Sequence, residues 1–196
     1  MNIAERTQKI LLQPQQEWLV IDSEPTTPGE LYAKYIIPLA AIAPIALIIG
    51  FFIYVGRYAS IGSFALNIIL LAAIYFALTL AGVYALALVI DALAPSFAGS
   101  KSTTQALKVA AYSLTPLFLG GIFYMLFDIE ILRPIVGLYG LFLLFLGLPI
   151  LMKSPKDKAV GYVAVAAIAA IVIFILIDRV LMNVITRAII SALYGI

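Results

Sequence analysis

Five stretches of this chain are almost unbroken runs of apolar side chains: 35–56, 64–94, 109–127, 134–152 and 159–180. Each is near or above the roughly 20 residues a helix needs to cross the hydrocarbon of a bilayer. Helices are favoured because each satisfies its own backbone hydrogen bonds in lipid. A transmembrane barrel would show shorter segments in strict apolar–polar alternation, and these runs do not alternate. The predicted fold is therefore all-α: a polytopic transmembrane helical bundle with five spans and amphipathic ends. Residues 128–133 and 153–158 are short connections, which force sequential helices into antiparallel neighbours; the longest connection is 95–108.

The ends carry a different pattern. Residues 1–34 read as a cytoplasmic amphipathic segment. In it Ile3, Thr7, Ile10 and Leu11 share one helical face, and Glu5, Arg6 and Lys9 are assigned to the others. Its charges leave no uninterrupted apolar core for a signal peptide. Trp18, the single tryptophan, is expected at the headgroup level. Thr27-Pro28-Gly29-Glu30 has the form of a capping box, with proline at the first helical position. At the other end, Arg179, Asn183, Thr186, Arg187 and Ser191 form a polar stripe. That stripe fits an interfacial tail over 181–196; extension of the fifth span is the other reading.

Composition agrees with the hydropathy pattern. Hydrophobic residues make up 64% and charged residues 11%, and mean hydropathy is +1.13. Soluble domains hold about 45–50% apolar and about 25% charged residues. A net charge of +2 gives no footing for nucleic acid. Cysteine and histidine are both absent, so no disulfide forms, the usual zinc and haem ligand sets are missing, and no cofactor or metal is expected. The expected partners are membrane lipid and either other proteins or further copies of the chain. Lys and Arg set the orientation. Arg6, Lys9, Lys34, Lys101, Lys108, Lys153, Lys156 and Lys158 fall on one side; Arg57, Arg133, Arg179 and Arg187 fall on the other. The richer side is read as cytoplasmic, with the C-terminus outside.

Chemistry-bearing residues are few. A charge at mid-membrane costs about 2.5–3.5 kcal/mol on insertion scales, and the span centres carry none. Asp91 and Asp178 sit near span ends. Asp91 reads as an interfacial carboxylate paired with a cation, or else as a cation or proton site at the mouth of a cavity. Asn67, Tyr75, Thr79, Tyr112, Ser113 and Thr115 are polar groups expected inside the spans, where they either hydrogen-bond between helices at about 0.6 kcal/mol each or, as the less favoured reading, line a substrate site. Pro38, Pro44, Pro116 and Pro149, with Gly120-Gly121, break helices and free carbonyls. Ala77, Ala81 and Ala85, Ala166 and Ala170, and Gly137, Gly140 and Gly147 are spaced for close helix packing. No nucleophile-elbow, zinc-protease, phosphate-loop or dinucleotide motif is present, so the chain is read as not an enzyme.

Three strings carry a family resemblance. The first is Pro14 to Trp18 followed by a proline-bounded turn. The second runs from Phe97-Ala98-Gly99-Ser100 to Ala111-Tyr112-Ser113-Leu114-Thr115-Pro116. The third is Gly137-Leu138-Tyr139, Gly147-Leu148-Pro149, Met152-Lys153-Ser154-Pro155, Lys158-Ala159 and Gly161-Tyr162. Together they resemble the Yip-domain family in its bacterial inner-membrane branch. The resemblance implies five spans, a cytoplasmic N-terminus and no established chemistry. Eukaryotic members bind prenylated Rab GTPases, which is not carried over because the N-terminal segment here is much shorter. The expected function is a non-catalytic membrane protein that organises membrane or partner proteins. The alternative is a small-solute permease or channel with a site between spans two, three and four. Asp91, Tyr112, Thr115, Pro116, Tyr139, Lys153, Lys158 and Tyr162 are the candidate functional or packing positions.

Overall fold

A computed structural model describes residues 2–54, 61–125 and 132–194; side chains at 54, 61–65, 132–134, 156, 181–182 and 184–194 are outside that description. Arg57, Asp128, Glu130, and the side chains of Arg133, Lys156, Thr186, Arg187 and Ser191, which entered the orientation, loop and stripe readings, lie outside the described residues.

Every element among the described residues is helical. Two short helices open the chain, α1 (Ile3–Leu12) and α2 (Pro14–Ser23). Asn2 caps α1 by accepting from the amide of Ala4, and Pro14 starts α2 at its first position. A third helix begins at Pro28 under the expected capping box: Thr27 accepts from the Glu30 amide, and the Glu30 carboxylate accepts from the Thr27 amide. It runs as α3 (Pro28–Leu31), a π-helical turn (Tyr32–Ile36), α4 (Ile37–Ala40) and α5 (Ile42–Tyr54). The π turn has a cause in sequence. Pro38 cannot donate to the carbonyl four residues back and would crowd it. The helix widens instead, and the Ile37 amide reaches Tyr32 O, five residues back.

Next comes α6 (Ile61–Leu93), ending in a 3-10 turn (Ala94–Phe97). The predicted third span starts earlier than its hydropathy indicated, as α7 (Thr103–Ser113) capped by Ser102. It continues through α8 (Thr115–Gly120) and a 3-10 turn (Gly121–Met125), with a bend of 40° before Pro116. The chain closes with α9 (Leu132–Leu151) and α10 (Lys156–Tyr194). The backbone of α10 is one helix throughout, so 181–194 continues the helix of the fifth run.

Among the described residues, three helices are long and apolar enough to cross a membrane: Pro28–Ile53, Leu66–Phe97 and Asp157–Val180. The bent pair Thr103–Ser113 and Thr115–Met125 adds a fourth if it counts as one span, and Ile135–Leu151 is a shorter apolar helix. The outward faces of these helices are apolar. Ile45, Leu66, Ile69, Leu70, Ile168 and Leu176 are all more than half exposed, as a lipid-facing surface requires and a water-facing one does not tolerate. The molecule is a helical integral membrane protein with three to four such candidate spans.

Small residues set the closest approaches. A Cβ on Gly121 would meet Ala43 Cβ at 2.6 Å and its backbone at 2.9–3.0 Å, and one on Gly140 would meet Ser113 O at 2.9 Å. Ala166 and Ala170 are buried as the small-residue spacing implied, whereas Ala77 and Ala81 are exposed.

Candidate functional site

The polar chemistry of the described residues gathers where α1 and α2 fold back onto the bundle. On α1, Ile3, Arg6 and Ile10 fall three and four residues apart, so one face carries all three. Ile10 is fully buried and Arg6 is 6% exposed. The sequence reading placed Arg6 off the apolar face; the structure puts it on the buried one. Its guanidinium donates to the carboxylates of Glu17, also buried, and Glu24, and lies 5.9 Å from the centre of the Tyr112 ring. A buried charge is tolerable when it is paired and hydrogen-bonded, and here one cation ties α1 to both ends of α2.

Trp18 also corrects its expectation. It does not sit among headgroups: it is wholly buried. Its indole fills a notch left by Gly147 on α9, where a Cβ would fall on the ring. It also meets Tyr112 edge-on at 6.1 Å. Tyr112 in turn packs on Tyr35 at 4.6 Å, and the Tyr35 hydroxyl shares a 2.8 Å hydrogen bond with Thr115. Pro116, buried, follows at the start of α8. The hairpin is then fastened from outside. Lys108 donates to the carbonyls of Ile21 and Glu24 at 2.9 and 2.6 Å, Gln105 to Asp22 at 3.1 Å, Lys153 to Asp22, and the Tyr139 hydroxyl to Leu11 O. On the outer face Lys9 and Glu5 pair. The Lys9 hydrogen bond and charge hold the Glu5 carboxyl below its usual range, though exposed pairs of this kind contribute little to stability.

These contacts fix how the hairpin lies. Asp22 is opposite Lys153, Trp18 opposite Gly147 and Leu11 opposite Tyr139, so α2 runs parallel to α9 along its flank. Tyr139 and Lys153 are separated by about 20 Å of helix axis at 1.5 Å per residue.

A second cluster ties the loops together. The Ser100 amide donates to Met152 O at 2.7 Å and the Gly99 amide to Ala94 O at 2.8 Å. Ser154 Oγ donates to Phe97 O. Phe97 stacks on Tyr162 at 4.9 Å, whose hydroxyl donates to Ile90 O. Asp91 accepts from Thr103 Oγ1 at 3.0 Å. Ala98 and Lys153 both take positive φ, 53° and 54°, to make these turns.

Of the candidates read from sequence, Tyr112, Thr115, Pro116, Tyr139 and Lys153 thus meet around the hairpin, and Asp91 and Tyr162 meet at the loop clamp. Lys158 is exposed, outside both. The sequence reading missed Arg6, Glu17, Asp22, Glu24, Gln105 and Lys108 as a group. The available signal was an arginine on an apolar helical face with acidic residues eleven and eighteen positions on.

Farther along the bundle, Tyr124 donates to Tyr75 and to Asp178 Oδ1, both at 3.4 Å. These side chains line a cavity of about 80 Å³ with Thr79, Ala43, Gly120, Gly121 and Val136. No grouping of acidic side chains suited to a metal ion occurs among the described residues.

The comparisons with known proteins agree with a membrane protein. The inner membrane protein YohC of Escherichia coli K12 is 29% identical over 157 residues, covering 76% of this chain and 80% of that protein. YohC of E. coli O6:H1 matches to the same extent. No solved structure matches. The Yip1 domain matches residues 9–177, from the second half of α1 to the Ile177 turn of α10. That match takes in most of the hairpin, the loop clamp and the Tyr35–Tyr112 pair, and the chain belongs to the Yip1 domain family.

Proposed function

We propose that this is a five-span protein of the bacterial inner membrane whose role is binding rather than catalysis: it organises partner proteins or lipid at its cytoplasmic face. The observation that carries this is a filled interior under the hairpin. Trp18, Tyr35 and Tyr112 are 0–3% exposed, and the charged groups there are engaged within the chain, Arg6 with Glu17 and Glu24 and Lys108 with the carbonyls of Ile21 and Glu24. The name of the E. coli relative supports the inner membrane. Two features support the five spans and the side of the loops. The bent α7–α8 segment and α9 make one passage out and one back. The loops that flank this pair, 95–102 and 152–155, touch through Ser100 and Met152. The N-terminus and both loops then face the cytoplasm and the C-terminus lies outside.

The cavity beside Asp178 supports the second reading, a permease. It holds a few waters or a small inorganic ion at most, and it draws on more helices than the three predicted to line a site. Proteoliposomes decide between the two. The expected result is that flux of water, monovalent ions and small neutral solutes equals that of empty vesicles, and that Asp91→Asn and Tyr112→Phe change nothing. A saturable flux lost on either substitution, or on Asp178→Asn, establishes the permease and overturns the binding role.

A further inference from the structure

Beside the tip of the hairpin lies a groove of about 410 Å³ lined by Leu12, Gln13, Pro14, Gln15, Gln16, Tyr139 and Phe142. It opens sideways. Phe142 on its floor is 45% exposed, and the neighbouring Leu138 and Phe145 on the same face of α9 are 66% and 47% exposed. The groove therefore continues the lipid-facing surface of α9. Its opposite wall is polar: three glutamines in four residues at the α1–α2 turn, with the exposed Glu5–Lys9 pair one to two turns back along α1.

An apolar floor joined to an amide wall, at the edge of a membrane-facing surface, matches an amphiphile and neither half alone. A wholly apolar chain would leave the glutamine amides without partners. A soluble polar molecule would have to leave water to lie on Phe142. We propose that this groove holds one phospholipid of the surrounding bilayer. Its glycerol and phosphate region meets the amides of Gln13, Gln15 and Gln16, and an acyl chain runs along Phe142 and Leu138. The lining residues carry no charge and the nearby Glu5 and Lys9 cancel, so the preferred headgroup is net neutral, of the phosphatidylethanolamine kind, over an anionic one. The assignment rests on the binding role proposed above and gives that role its ligand class.

The test is native mass spectrometry of the full chain released from mixed phosphatidylethanolamine–phosphatidylglycerol membranes. Wild type is expected to retain one phosphatidylethanolamine. Gln15→Glu with Gln16→Glu, which repels the phosphate, and Phe142→Ala, which removes the floor, are each expected to lower occupancy at least about five-fold, a loss near 1 kcal/mol. Ile168→Ala, on the exposed face of α10, serves as control and should retain the lipid. The altered side chains are exposed or half-exposed, and an unchanged melting temperature confirms the fold in each variant. Occupancy equal in wild type and groove variants, loss equal in the control, retention of the anionic lipid alone, or no retained lipid would each overturn the groove assignment. None of those results reopens solute flux, and a positive flux result does not empty the groove, so the two readings fail separately.

Discussion

Arg6 shows how far one residue reaches in this molecule. Two carboxylates, one of them buried with it, share its guanidinium. A buried ion pair adds little over an apolar pair of the same shape, but removing one partner strands a charge at a cost of about 3–5 kcal/mol. Arg6→Ala and Glu17→Ala should therefore each destabilise the hairpin by about 3 kcal/mol. The double replacement Arg6→Met with Glu17→Leu should be milder than either. Limited proteolysis between residues 1 and 24, read beside thermal unfolding in detergent, checks both halves. If the double variant is the worst of the three, the charges are worth more than this account allows. Gly147 offers the complementary case. Its missing side chain is the space the Trp18 indole occupies, so Gly147→Ala must push the ring out, while Trp18→Ala leaves a cavity costing about 3–5 kcal/mol. In the Trp18→Ala background, Gly147→Ala should cost much less than it does alone. Tryptophan fluorescence reports the displacement, as Trp18 is the sole tryptophan.

At the scale of elements, what was legible in the sequence followed from period and length. The capping box at Thr27–Glu30 and the break at Pro116 stand where proline chemistry put them, and the described parts of the apolar runs are helical, although the helix of the third run begins at Thr103, ahead of that run. The π turn at Tyr32–Ile36 was not anticipated, although Pro38 is its cause. The docking of the hairpin was also hidden. Its α1 reads as an interfacial helix because amphipathicity is the same whether the apolar face meets lipid or protein. Only the glycine notch at Gly147 and the Tyr112 ring separate the two cases, and both are more than ninety residues away in sequence. The site was half legible for the same reason: motif residues of the bundle stood out, while their charged partners in α1 and α2 looked like a solvated segment. Glycines divide in a way the sequence does not show. Gly121 faces the backbone of Ala43 at 2.9–3.0 Å, and Gly137 has only Leu117 Cδ2, at 3.6 Å, near its missing Cβ. Overpacking costs about 1–3 kcal/mol, so Gly121→Ala should lower stability by that order and Gly137→Ala should be near neutral. Equal melting temperatures for the two variants would contradict the close approach of α5 to the 3-10 turn.

For the molecule as a whole, the decisive geometry is that two loops far apart in sequence are in contact. Ser100 and Met152 share a hydrogen bond, and Ser154 reaches Phe97. The chain between them, α7 through α9, leaves this end of the bundle and returns. Asp22 on the N-terminal hairpin is also bound here by Gln105 and Lys153. The five-span arrangement proposed above therefore puts residues 22, 101, 153 and 158 on one side of the membrane. Because the chain has no cysteine, single-cysteine variants give a clean readout. Asp22 and Lys153 are paired, so the probes belong on exposed neighbours: Ser23→Cys, Lys101→Cys and Lys158→Cys. All three should react with an impermeant maleimide only after the inner face is opened, and together. The positive-inside rule adds the direction, since the side proposed to hold the N-terminal segment and these loops carries eight of the twelve basic residues. Modification of Lys101→Cys and Lys158→Cys from opposite faces would be incompatible with the Ser100–Met152 contact, and with it the five-span arrangement would fall.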